Sequence, residues 1–216
     1  MPLKTATIIG ATGLIGGQLV NQLQQDEQFG TIRVLVRRPT TFSQSKVEEK
    51  LVNFRDPESF KLALEGSDVV FCAVGTTQKK VQGDKDAYRK VDYDIPVHAA
   101  RFCAETGCQK FLLVSAVGAN RKSGNFYLRL KGEVEDAVQQ FDIKSVSIFR
   151  PSILLGKRTE KRTGEKIGQV VMKLFSFLLL GSLKKYKPVK ANAIAAAMIR
   201  ESKKEGKGRF VYEFPF

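Results

Sequence analysis

The chain has 216 residues, enough for one domain with a large core but hardly for a second. Hydrophobic residues make up 43% and charged residues 27%, which excludes a disordered or fibrous protein. The first ten residues, MPLKTATIIG, lack the long apolar core of an export signal, so we expect a cytoplasmic protein. The three cysteines form no C-x-x-C pair, so we expect reduced thiols rather than disulfides or a zinc site.

The formal net charge of +14 is concentrated in the last third of the chain. Residues 151–216 hold 15 Lys and Arg against 5 Asp and Glu. Such a surface favours an anionic partner: a phosphorylated small molecule, an acidic protein or a lipid headgroup. A solvated basic surface is the alternative. We do not expect nucleic acid binding, because this region has no Trp and no interleaving of aromatic and basic residues.

Short apolar runs alternate with helical stretches along the whole chain, which is the pattern of βαβ units. The sequence therefore predicts an α/β fold: a Rossmann-type, doubly wound, mostly parallel sheet with helices on both faces, in a single domain over 1–216. Residues just after each strand should carry the function, because ligands bind beyond the carboxyl ends of such strands. Strands are predicted at 5–9, 32–36, 51–54, 68–74, 110–115, 145–149 and 209–213, and helices at 14–25, 57–64, 85–106, 126–141, 166–180 and 191–202.

A glycine-rich turn follows the first predicted strand, with the spacing G-x-x-G-x-x-G. Small residues are needed there, because the backbone must approach a pyrophosphate whose charge is met by the N–H groups of the next helix. The placement between a strand and a helix makes a dinucleotide site the interpretation, rather than an ordinary turn. The residues predicted to contact the cofactor here are Gly10, Thr12, Gly13, Leu14, Ile15 and Gly16.

The second predicted strand is followed by Arg37 and Arg38, where an NAD enzyme would place a carboxylate on the ribose. Guanidinium groups suit a 2′-phosphate by charge and by forked hydrogen bonds, so NADP(H) is predicted in preference to NAD(H). Two solvated arginines are the alternative.

Residues after the third and fourth strands are predicted to complete the cofactor site. By position, the residues after the third strand approach the adenine, and those after the fourth strand approach the ribose and nicotinamide. Packing is the alternative for Phe54 and Val74. These residues are Asn53 and Phe54, then Ala73, Val74, Gly75 and Thr76.

Three residues are candidates for catalysis. Ser115 ends the fifth strand, and Tyr127 and Lys131 follow at i, i+4 on one face of a predicted helix. An ammonium one turn from a phenol favours the phenolate, so Tyr127 is predicted to act as general acid and base. Lys131 would also hold the ribose, and Ser115 would orient a substrate carbonyl. The single histidine, His98, lies inside a predicted helix, and we expect a structural role.

Taken together, these features resemble the short-chain dehydrogenase/reductase superfamily, in its extended or atypical branch. The segments CAVGTT, YRKVDYD, SGNFYLRLKGEVE and FRPSILLG are similar in order and spacing to the Tat-interacting-protein (oxidoreductase HTATIP-like) family. The resemblance implies an NADP(H)-bound Rossmann fold, with Pro151, Ser152 and Ile153 bordering the nicotinamide. Extended members commonly carry Val-Asn where this chain has Val91-Asp92, so the asparagine of a proton relay is missing.

The last third, 151–216, is predicted to contribute a small substrate or lid region. Its apolar stretch 166–180 is too short to span a bilayer, and a core helix or lid is favoured over a docking surface for a membrane or a second subunit. Two functions follow. One is an NADPH-dependent reductase of a small carbonyl compound, either anionic or neutral. The other is a regulatory protein that senses NADP(H) and acts through protein contacts. The sequence leaves the substrate and the oligomeric state open.

Overall fold

The protein is described by a computed structural model that covers residues 2–42, 45–155 and 186–213. Seven parallel strands form one sheet, and their inner members are the apolar runs that suit burial on both faces. The strands are β1 (Lys4–Ile9), β2 (Phe29–Val36), β3 (Val47–Leu51), β4 (Val69–Cys72), β5 (Lys110–Val114), β6 (Ser145–Arg150) and β9 (Gly208–Glu213).

The order of strands across the sheet is β3-β2-β1-β4-β5-β6-β9. The chain moves outward from β1 in one direction, returns across it, and then continues from β4 in the other direction. The carboxyl ends of β1 and β4 therefore flank the point at which the winding reverses, which is where doubly wound sheets bind their ligands. The predicted fold class is confirmed. A separate two-stranded pair joins β7 (Leu154–Leu155) to β8 (Val189–Lys190).

Helices cover both faces of the sheet and create two core layers. They are α1 (Leu14–Leu23), α2 (Pro57–Leu64), α3 (Lys85–Arg89), α4 (Ile95–Glu105), α5 (Phe126–Val138) and α6 (Ala191–Lys203). One layer packs α1 and α6 on the sheet through side chains such as Leu19 and Met198. The other packs α2, α4 and α5 through Phe60, Phe102 and Val134.

Two elements differ from the sequence prediction by more than the length of their ends. The third strand covers Val47–Leu51 rather than 51–54. It lies at the edge of the sheet and contains three charged residues, so it lacks the apolar pattern by which strands are predicted. The helix predicted at 85–106 is interrupted by a π-helical turn, Lys90–Asp94. Pro96 lies two residues beyond this turn and has no N–H to donate back to it, which explains the break in the α-helical ladder. The predicted helix 166–180 lies outside the described residues.

Candidate active site

The glycine turn between β1 and α1 is too tight for any side chain at two positions. Gly10 has φ +90°, and a Cβ there would lie 2.7 Å from the backbone of Ala73. A Cβ on Gly16 would lie 2.0 Å from the Gly10 carbonyl oxygen. Gly13 donates its N–H to that same oxygen at 2.9 Å and is the N-cap of α1, with no side chain capping the helix. The first turn of α1 thus presents uncapped N–H groups, which suit a phosphate.

Other residues of this turn play different parts. Thr12 is exposed, whereas Ile15 is buried and can offer only its backbone to a ligand. Leu14 is half-buried and packs against the same core. The turn also touches the segment after β4, since Ala73 donates its N–H to the Ile9 carbonyl at 2.9 Å. The structure therefore brings together the glycine turn and Ala73, which are both predicted to contact the cofactor.

Arg37 and Arg38 directly follow the last residue of β2 and are exposed. β2 pairs with β1 up to Ile9, so both arginines stand at the same edge of the sheet as the glycine turn. Within the described ranges, neither guanidinium has a hydrogen bond or an ion pair. This is the arrangement that a 2′-phosphate would fit by charge.

Asn53 and Phe54, which follow β3 after the buried Val52, differ in the groups that they can offer to a ligand. Asn53 is exposed, and its side-chain oxygen accepts the Arg55 N–H at 3.1 Å. Phe54 is half-buried and packs edge-on against Phe60, with ring centroids 4.8 Å apart. The packing alternative therefore has direct structural support for Phe54, while Asn53 stays available at the surface.

Tyr127 and Lys131 share one face of α5, which Asn125 starts by accepting the Leu128 N–H at 3.1 Å. The Tyr127 side chain is 37% exposed, whereas Lys131 is only 5% exposed. The Lys131 ammonium lies 5.9 Å from the centre of the Tyr127 ring. A reachable phenol thus stands one helical turn from a buried positive charge.

The Lys131 ammonium forms an ion pair with the Asp92 carboxylate, at an Nζ to Oδ1 distance of 3.0 Å. The other oxygen of Asp92 accepts the Thr76 N–H at 2.7 Å. Asp92 therefore joins Lys131 to the segment that follows β4. Burial works against the charge on Lys131, but the Asp92 carboxylate and the Tyr127 oxygen outweigh it and raise the pKa of Lys131 above its usual value.

A buried thiol lies next to this ion pair. Cys72 ends β4, and burial raises the pKa of its thiol to about 12. All three cysteines are buried and free. Cys72 therefore packs as a small apolar residue under the site.

Ser115 is placed differently from a substrate-orienting serine. It is buried, and its hydroxyl bonds to a carboxylate oxygen of Glu135, which is itself buried. Arg150 clamps the same carboxylate with its Nε at 3.0 Å and its Nη2 at 2.5 Å. The Ser115 hydroxyl is therefore engaged inside the protein, by an acid that the sequence analysis did not single out.

The segment after β6 continues the same edge of the sheet. Pro151 is buried and its carbonyl accepts the Val117 N–H at 2.9 Å, which ties it to the loop after β5. The Ser152 hydroxyl bonds to the carbonyl of Lys187, and Ile153 is 41% exposed. Of the three, Ile153 offers the most open side chain to a ligand.

Glu135 was not predicted from the sequence, and Asp92 was noted there only as the replacement of an asparagine. Glu135 could have been found, since Tyr127, Lys131 and Glu135 follow one another at i, i+4 and i+8 on one helical face. Asp92 had no such signal beyond replacing an asparagine. Its partner Lys131 lies on a different helix, so only the tertiary structure shows the pair.

Two further properties concern the described ranges as a whole. Among 2–42, 45–155 and 186–213, no group of three or more His, Cys, Asp and Glu residues could hold a metal ion. Every helix in these same ranges is too short or too polar to cross a membrane.

Comparison with known proteins connects this geometry to a family. A family model described as NAD(P)H-binding matches residues 10–174. Protein HTATIP2 of Rattus norvegicus is 34% identical over 168 residues, which cover 76% of this chain and 69% of the relative. Protein FMP52, mitochondrial, of Candida albicans is 35% identical over 169 residues, which cover 76% of this chain and 73% of the relative.

Solved structures share the fold at low sequence identity. The Bordetella bronchiseptica enzyme WbmH, in complex with NAD+, superposes with a TM-score of 0.75 at 14% identity, over 99% of this chain and 76% of that one. UDP-glucose 4-epimerase of Thermotoga maritima gives a TM-score of 0.71 at 13% identity, over 97% and 76%. At such identities the likeness establishes the Rossmann fold alone.

Proposed function

Because the chain belongs to the NAD(P)H-binding family, as an atypical short-chain dehydrogenase/reductase similar to HTATIP2, we propose that it uses NADP(H) to reduce a carbonyl group on a small molecule. NAD(P)H binding comes from the family; the carbonyl substrate and the phosphorylated cofactor are the proposal. The observation that carries it is the half-exposed Tyr127 phenol, one turn from the buried Lys131 ammonium.

The residues present fit a dinucleotide. Gly10 and Gly16 allow a close turn that any Cβ would disrupt by colliding with neighbouring backbone. This turn leads into the uncapped start of α1, whose N–H groups can meet the charge of a pyrophosphate. Arg37 and Arg38 would hold a 2′-phosphate, and Lys131 the ribose. The preference for NADP(H) rests on these two exposed guanidinium groups.

When bound, the reduced nicotinamide supplies a hydride. In the proposed reaction the carbonyl carbon gains that hydride, and the carbonyl oxygen gains the hydroxyl proton of Tyr127, which gives an alcohol. The phenolate left on Tyr127 is stabilised by the nearby Lys131 charge until it regains a proton from water. Ile153, exposed after β6, would border the nicotinamide.

The catalytic proposal is tested with Tyr127→Phe. We expect NADPH oxidation over a panel of small carbonyl compounds, anionic ones included, to fall by about 100-fold or more, since general acid catalysis contributes that much. Tyr93→Phe is the matched control, because Arg89 stacks 4.1 Å from the Tyr93 ring and a phenyl ring preserves this contact. Turnover unchanged by Tyr127→Phe would refute the mechanism.

The cofactor preference is tested by calorimetric titration. We expect NADPH to bind more tightly than NADH, and Arg37→Ala or Arg38→Ala to reduce that preference. Arg200→Ala removes one equally exposed positive charge from α6 and should leave the preference intact. Equal or tighter binding of NADH by the wild type would refute the assignment of NADP(H).

A second function is favoured by the state of Ser115. Its hydroxyl is held by the buried Glu135 carboxylate rather than free for a substrate, as expected of a catalytically weak protein that senses NADP(H) through protein contacts. Absence of turnover over the panel, together with NADPH-dependent capture of a protein partner, would favour this function over the reductase.

We also propose a cytoplasmic location. The FMP52 relatives carry the word mitochondrial in their names, so cell fractionation is the direct test. Enrichment with mitochondria would overturn this location.

A further inference from the structure

The Asp92 side chain connects two parts of the candidate site that lie far apart in the chain. It is 1% exposed and sits in the π-helical turn Lys90–Asp94, a kind of turn that is frequent at functional sites. One carboxylate oxygen contacts the Lys131 ammonium and the other accepts the Thr76 N–H. An Asn at this position would keep one contact as an acceptor but could not supply the charge.

The backbone after β4 is built closely around this carboxylate. A Cβ on Gly75 would lie 3.5 Å from Asp92 Oδ1, in van der Waals contact. The Tyr88 hydroxyl reaches the Thr76 carbonyl at 3.4 Å, so the same short segment is held from a second side. Asp92 thus contacts both the proposed ribose-binding lysine and the strand end predicted to approach the nicotinamide.

We infer that Asp92 is a positioning residue that keeps the buried Lys131 protonated and aligned with the segment after β4, so that NADP(H) affinity stays high up to alkaline pH. The inference rests on the proposed function, because it takes Lys131 as a contact of the cofactor. It concerns a residue that acts through Lys131 and does not itself touch the cofactor.

Asp92 is the neighbour that supplies a negative charge next to the Lys131 ammonium. Within 2–42, 45–155 and 186–213, the titratable groups that face the ammonium are Asp92, the hydroxyls of Tyr127 and Tyr88, and the thiol of Cys72. The tyrosines and the thiol are weak acids that are neutral when protonated, so Asp92 supplies the compensating charge. Without Asp92, the effect of burial would lose its largest opposing contribution and its hydrogen-bond partner. Desolvation can lower the pKa of a fully buried lysine to about 6.

The experiment measures the Kd for NADPH against pH, from about 7.5, where the ribose phosphate is fully ionised, to about 9.5. Wild type and the control Asp94→Asn, from the same π-helical turn, should show almost constant Kd. Asp92→Asn should weaken binding by about tenfold or more and make Kd depend on pH, by up to about tenfold per unit, because one proton on Lys131 is linked to binding. If Asp92→Asn and Asp94→Asn have the same Kd for NADPH at every pH, the inference is overturned.

A second comparison separates this role from a merely structural one and does not require Asp92→Asn to fold. Lys131→Met alone is compared with the double variant Asp92→Asn/Lys131→Met, which removes both buried charges and should fold. If Asp92 acts through Lys131, the two should bind NADPH equally. Weaker binding by the double variant, or its failure to fold, would overturn the inference. Wild type that binds no NADPH would instead overturn the proposed function.

Discussion

Gly132, the residue after Lys131 on α5, should not tolerate even a methyl group. An added Cβ would lie 2.2 Å from the Arg121 nitrogen and 2.4 Å from the Asn120 carbonyl carbon. Both are backbone atoms, so the loop after β5 would have to move by about 1 Å to reach van der Waals distance. Such overpacking costs about 1–3 kcal/mol, whereas alanine gains about 1 kcal/mol over glycine inside a helix. Gly132→Ala should therefore be destabilised.

Gly17→Ala is the matched control, because its Cβ on α1 would meet the nearest atom, a carbonyl oxygen, at an ordinary 3.6 Å. Both variants share the gain in helix propensity, so their difference in free energy of unfolding isolates the contact at Gly132. Urea unfolding should place Gly132→Ala below Gly17→Ala by about 1–3 kcal/mol. A Gly132→Ala protein as stable as Gly17→Ala would show that the loop does not pack on α5 as described.

Three further results are expected. Gly16→Ala should abolish NADPH binding in calorimetric titration, because the added carbon would lie 2.0 Å from a carbonyl oxygen of the turn; wild-type affinity would contradict the close turn. Burial and then Arg101 lower the pKa of His98, so the unfolded chain binds more protons and stability falls as pH drops below about 6.5. His98→Gln should lose less stability between pH 7 and 5 in urea titrations, and an equal loss would exclude His98 as the cause. The three buried thiols should react with a thiol reagent at pH 8 only after unfolding, and rapid labelling of the native protein would refute their burial.

The functional site divides into residues that could be predicted from local sequence and residues that could not. Gly16 was identifiable because its steric demand comes from Gly10 in the same turn. Gly10 was identifiable from the glycine spacing, although the backbone that approaches it is that of Ala73. Tyr127 and Lys131 were identifiable because an i, i+4 spacing fixes their common helical face. Ser115 was recognised by position only, and position after a strand does not reveal which partner its hydroxyl takes.

The sequence by itself determined the architecture of this protein. Alternating apolar strands and amphipathic helices allow few arrangements other than a doubly wound parallel sheet, and its winding fixes the edge where the glycine turn lies. The tertiary structure alone decided the electrostatics of the site. The partners of Lys131 and Ser115, namely Asp92 and Glu135, come from other elements of the chain. Contacts of this kind follow from packing between elements, which a single sequence does not encode in any local pattern.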